Sequence, residues 1–279
     1  MKNLITLRNL PLLLACSLVA QPASAALKII PVFIGGDPPP AQDVIGGGNL
    51  QEIFQVAAAS WEKVFKRGGG NWTLTIYYGW TNSFPIVSAS TTENSLFAQE
   101  KFLAEGGKPV RMTASLILFN NTPPLDSTFQ SLFMDPTPQD NLKFLRYTTD
   151  RQNEDVTPPQ LNVGRVLSQN LEAQNSLDVL SLAMHEIGHA LGLDYSYSGF
   201  QAQFVDNLYV MVTAPRPYAG LRIPIDNGPH INYPTALLIQ FQSQAGLRRL
   251  ISAADALLIA QLNSFDNPDL DGLPGEPIP

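Results

Sequence analysis

Two histidines four residues apart on an apolar-spaced stretch constrain this chain more than any other feature. Over residues 176–192, Leu177, Leu180, Met184, Ile187 and Leu191 recur at helical spacing, and the segment carries His185-Glu186-Ile187-Gly188-His189. Asn175 with Asp178 three residues on supplies a possible cap for its start. Residues four apart on an α-helix differ by about 40° in direction, so His185 and His189 project side by side toward one point. A fold built around this helix must bury its apolar side while keeping two imidazoles and a carboxylate near a shared centre. The whole chain holds only three histidines, and two of them stand here.

Residues 1–25 are read as a secretory signal peptide. Lys2 and Arg8 give a positive start, residues 10–20 an apolar run, and Ala23-Ser24-Ala25 a small-residue cleavage site. The run is too short to span a bilayer, and no other apolar stretch approaches that length. Export places the protein in a periplasm or outside the cell. The alternative is a lipoprotein acylated at Cys16 after Leu13-Leu14-Ala15, although the apolar run continues beyond it. Cys16 is the only cysteine, so cleavage after Ala25 leaves neither thiol nor disulfide. The exported part is more acidic than the −7 of the full chain, since the leader removes Lys2 and Arg8, which argues against a nucleic-acid partner.

At 44% hydrophobic residues the chain has material for a sizeable core. Asn49 and Glu52 predict a helix start, and the apolar residues from Leu50 to Phe65 keep helical spacing until Gly68-Gly69-Gly70. Residues 72–78 and 110–119 are rich in β-branched and aromatic types and predict strands, with shorter extended pieces expected at 141–147 and 161–168. Ser252 and Asp255 predict a capping box for a helix running to Leu262. The fold class expected is α/β of the α+β kind, a mixed twisted sheet packed on helices. Its catalytic domain would span 26–265, divided near 193/194 into an N-terminal part and a smaller C-terminal part, with a loose tail at 266–279.

The spacing His185, His189 suits Zn²⁺, which accepts imidazole nitrogens at roughly 2.0–2.1 Å and, in catalytic sites, keeps a position open for water. Glu186 points about 100° away from His185, toward the side where that water would sit, and can act as general base. Other chemistries find no support: there is no G-x-S-x-G elbow, no glycine-rich loop ending in Lys-Ser or Lys-Thr, and no thiol after cleavage.

The run HEIGHALGL at 185–193 resembles the active-site helix of metzincin zinc peptidases, the matrixin-like ones in particular. The resemblance implies a metzincin-like fold, protein or peptide substrates, and a chain turn at Gly192 that brings a histidine or aspartate three residues later to the zinc. This chain has Tyr195 there. Three residues compete for the third metal position. His230 is the one remaining imidazole and is favoured; Asp194 lies one residue early; Tyr195 is in register but must lose a proton with an ordinary pKa near 10 to bind well. A site with no third protein ligand stays open. A glutamate of the thermolysin kind is disfavoured, because Glu276 is the only one after Glu186.

The resemblance also implies a methionine turn beneath the metal. Met211 is the only methionine after the motif, whereas Thr235-Ala236-Leu237-Leu238 sits nearer the final helix but carries leucine. With no cysteine after cleavage, latency of the matrixin kind through a propeptide thiol is excluded. Asp266, Asp269 and Asp271 offer carboxylates for calcium without the spacing of an EF-hand.

The reading is a secreted or periplasmic zinc metalloendopeptidase with metal ligands His185, His189 and His230 and general base Glu186, its peptide substrate adding to a strand edge around residues 161–167. The competing reading is a metzincin-like binding or surface protein that does not cleave.

Overall fold

The computed structural model describes residues 26–66, 70–82, 89–92, 111–122, 131–141, 144–152, 161–169, 174–215, 217–226, 228–240 and 245–273. The predicted leader with Cys16, most of the 68–70 glycine stop, Val110, Asn227 and Glu276 lie outside them. Elements run β1 (Leu27–Phe33), β2 (Val44–Ile45), α1 (Leu50–Val64), β3 (Trp72–Thr81), β4 (Ala89–Thr92), β5 (Ala114–Asn120) and β6 (Ser131–Phe133). Then come β7 (Phe144–Gln152), β8 (Leu161–Gln169), β9 (Ser176–Asp178), α2 (Val179–Ala190) and α3 (Ser198–Gln203). The chain closes with β10 (Phe204–Val205), β11 (Tyr209–Met211), β12 (Arg222–Pro224), β13 (Leu247–Leu250) and α4 (Ala253–Leu262). The result, among the described residues, is a mixed α/β architecture of small sheets and four α-helices, compatible with α+β.

The largest sheet has the order β1-β3-β5-β4, with β1, β3 and β5 parallel and β4 antiparallel at the edge. Strand alternation puts Leu74, Ile76 and Tyr78 of β3 and Ile117 and Phe119 of β5 on the buried face. There α1 packs, its apolar stripe supplying Ile53, Phe54, Ala57, Trp61 and Val64. Asn49 caps this helix by accepting from the Glu52 backbone N–H at 2.9 Å, as its sequence position predicts. Phe54 stacks on Tyr78 with ring centroids 3.9 Å apart. The Trp61 indole N–H donates to the Met184 carbonyl at 2.8 Å, which locks α1 against α2 at mid-length.

Three smaller sheets complete the described residues, two of them reaching α2 through β9 and β13. The parallel trio β2-β6-β9 leads directly into it, β13-β8-β7 is antiparallel, and β10-β11-β12 is a meander in the C-terminal part. Here the structure corrects several expectations. Residues 176–178 are strand, not helix: they pair with Ser131, Leu132 and Phe133, and Ser176 Oγ meets Ser131 Oγ at 2.6 Å. Leu177 and Leu180 fit a helical stripe or a strand running into a helix equally well, and cross-chain pairing decides. The strand at 161–167 is no free edge over most of its length: β7 pairs it along one side and β13 pairs residues 165–168 on the other, which leaves only 161–164 without a partner strand there among the described residues. The tail is tied down as far as 273: the Asp269 N–H donates to the Val64 carbonyl at 2.8 Å and Leu273 is buried.

Candidate metal centre

Helix α2 is buried along its whole length. Asp178 caps it, accepting from Ser181 N–H at 3.0 Å and Ser181 Oγ at 2.6 Å. The helix stops where Gly192 takes a positive φ of 110°, a conformation that glycine adopts freely and that brings its Cα against the Tyr197 ring. Between these limits the two motif histidines face one point.

The ring nitrogens on the far side of that point are fixed by carbonyls. His185 Nδ1 lies 2.9 Å from the Leu237 carbonyl and His189 Nδ1 lies 2.7 Å from the Leu193 carbonyl. A carbonyl only accepts, so both Nδ1 atoms carry hydrogen, and each neutral ring is left with a bare Nε2. These two lone-pair nitrogens stand 3.1 Å apart. Two acceptors converging at that distance repel each other unless a cation lies between them. A tetrahedral ion with nitrogens at 2.0–2.1 Å sets neighbouring ligands about 3.3 Å apart, close to the spacing observed.

His230 completes the cluster. It arrives on a tight hairpin in which Ile225 bridges Ile231, Asp226 N–H donates to the His230 carbonyl at 3.1 Å, and His230 N–H donates to the Gly228 carbonyl at 2.6 Å. Gly228 is required there, since a Cβ would come within 2.7 Å of His230 Nδ1. The His230 ring lies 5.3 Å from that of His185 and 4.9 Å from that of His189, centroid to centroid. One ligand atom from each of the three lies within 4.8 Å of the others, so a tetrahedral ion of that size would need the widest pair to close by roughly 1.5 Å. Nδ1 of His230 is buried and has no hydrogen-bond partner among the described residues.

Electrostatics favour neutral rings ready to coordinate. Burial, then the neighbouring His189 and His230, hold His185 well below the usual histidine range despite the Leu237 carbonyl. Burial also lowers His189, against the pull of the Leu193 carbonyl and Asp194. Burial and then His189 bring His230 down to about 4. Glu186, next along the helix from His185, is only 6% exposed.

Of the alternative third ligands, Asp194 does not join this set. Asp194 Oδ1 accepts from Ser196 N–H at 2.7 Å and Ser196 Oγ at 2.6 Å, closing a turn. Tyr195 is 43% exposed, donates to the Asp226 carbonyl at 3.4 Å and packs its ring near Phe200 and Phe204. Met211 lies out on β11 at 38% exposure, so it forms no turn beneath the histidines. That place belongs to residues 235–238, whose fully buried Leu238 abuts Gly188 so closely that a Cβ there would meet its Cδ2. Among the described residues no cluster forms from Asp266, Asp269 and Asp271. The cavity of about 570 Å³ lined by Phe33, Trp80, Met134 and Gly47 lies at the start of α1 and includes neither Glu186 nor any of the histidines.

Sequence spacing missed the supporting groups. The Leu193 and Leu237 carbonyls carry no side-chain signal, and Asp255 reads only as a helix cap. No family model, curated protein or solved structure matches the chain. Among the described residues no helix is long and apolar enough to cross a membrane.

Proposed function

We propose that this chain is an exported zinc-dependent metalloendopeptidase with a metzincin-like fold. The observation that carries the reading is the pair of Nε2 atoms 3.1 Å apart, beside which a third imidazole arrives from a loop 41 residues beyond His189. Three neutral nitrogens with an open fourth position form a donor set suited to catalytic zinc rather than to a closed structural site. Bound there, zinc polarises a carbonyl oxygen and lowers the pKa of coordinated water toward 7. Glu186 takes a proton from the attacking water and passes it to the departing amine, which makes one carboxylate serve both halves of the hydrolysis. The Leu193 and Leu237 carbonyls keep His189 and His185 in the ligating tautomer.

Substrate would lie along β4 in place of β8. Among the described residues β4 is the antiparallel edge of the four-stranded sheet and packs beside α2, so an extended peptide would add to its outer edge through main-chain hydrogen bonds.

Metal removal tests the reading. Protein spanning 26–279 is expected to hydrolyse casein or gelatin, to lose that activity with 1,10-phenanthroline, and to regain it on adding zinc after the chelator is removed. Hydrolysis that persists in the chelated protein contradicts the proposal.

A further inference from the structure

Asp255, fully buried at the third position of α4, collects more donors than a helix cap uses. Ser252 N–H at 2.8 Å and Ser252 Oγ at 2.6 Å complete the capping box. Two further donors come from the turn beneath the histidines: Leu238 N–H at 2.9 Å and Leu237 N–H at 3.2 Å. Arg249 grips the same turn from its other side, its Nη1 donating to the carbonyls of Pro234 at 2.9 Å and Ala236 at 3.2 Å. With its flanking amides and carbonyls held in this way, the Leu237 carbonyl is directed at His185 Nδ1, 2.9 Å away.

We infer that Asp255 is a positioning residue for the metal centre, acting through the Leu237–Leu238 peptides to keep His185 in the orientation and tautomer that leave its Nε2 bare. The inference rests on the zinc reading for its consequence, but its structural core does not need the ion. Asparagine at 255 shows why the carboxylate matters. Three of the donors share Oδ2, so an amide keeping its oxygen there turns an NH₂ toward Leu238 N–H. Donor would face donor, and the turn would shift.

In the mature protein Asp255→Asn is expected to weaken zinc binding by about 10–100-fold, measured by competition with a chromophoric chelator. In the metal-free protein, long-range ¹⁵N–¹H spectra are expected to show His185 as the Nδ1–H tautomer in the parent and as a mixture in the variant. Ser252→Ala removes cap bonds but leaves the turn contacts, so it is expected to lower thermal stability while keeping zinc affinity within about threefold of the parent. Arg249→Gln, which loosens the turn from the carbonyl side, is expected to weaken zinc in the same direction and serves if Asp255→Asn does not fold. An unchanged His185 tautomer in Asp255→Asn, or in Arg249→Gln where that variant serves, overturns the inference. So does a loss of zinc affinity in Ser252→Ala as large as that variant's. A parent that binds no zinc sinks the enzymatic reading instead, while the tautomer comparison still decides the role of Asp255.

Discussion

Glu186→Gln is expected to reduce peptide hydrolysis by about 10²–10⁴-fold, with the loss in kcat and with zinc content at the parent level. Glutamine preserves the shape of the side chain in its nearly closed position, at 6% exposure, but cannot take a proton from water. Because the Leu237 and Leu193 carbonyls hold Nδ1 of both motif histidines, the metal centre should survive the change. Steady-state kinetics on a quenched fluorescent peptide, beside metal analysis, separates the outcomes. Activity unchanged by the substitution contradicts the role of Glu186 and restores the non-cleaving binding protein as the better reading.

The second large effect is on stability. Arg248→Ala is expected to cost about 3–5 kcal/mol, because it strands two buried carboxylates. Arg248, on β13, has no solvent exposure. It donates to Asp178 from Nε at 3.0 Å and Nη2 at 2.9 Å, and from Nη2 to Asp135 at 2.7 Å. Its guanidinium lies 4.1 Å from the Phe144 ring centroid. Burial opposes its charge, but Asp178 and Asp135 outweigh burial and hold it above the usual arginine range. Asp178 is also the cap of α2, so removing the arginine unsettles the start of the helix that carries His185 and His189. For a domain of this size the midpoint of thermal unfolding should fall by roughly 6–20 °C. Replacing the charges together, Arg248→Met with Asp135→Asn and Asp178→Asn, should recover part of the loss, as uncharged groups need no counter-ion. A shift below about 2 °C in Arg248→Ala would show that the triad contributes little.

This network also marks what sequence could not reveal. Arg248 and Arg249 are adjacent basic residues, which on their own read as a solvated surface. The burial of Arg248 becomes intelligible only through Asp178 and Asp135, 70 and 113 residues away in the chain, and that of Arg249 through the Pro234 and Ala236 carbonyls. By contrast α1 and α4 were legible because each couples a local cap, Asn49 or Ser252, to apolar residues at helical spacing, whereas the same pattern placed the start of α2 three residues early, its observed cap being Asp178. The status of β8 was not, since alternation reports which face of a strand is buried and nothing about neighbours on its two edges. The metal-site helix was read from spacing alone. His230 entered as the remaining imidazole, and only the hairpin at Ile225 and Ile231 explains how it returns to the helix. The carbonyls that set the histidine tautomers belong to the backbone, which leaves no trace in residue identity.

The most direct measurement is the zinc content and affinity of the protein spanning 26–279, by mass spectrometry and chelator competition, beside His230→Ala and Asp194→Ala. Three-histidine coordination predicts about one zinc per chain in the parent, unchanged content in Asp194→Ala, and affinity lower by at least about 100-fold in His230→Ala. Equal retention in all three proteins, or no zinc in the parent under metal-replete conditions, would contradict it.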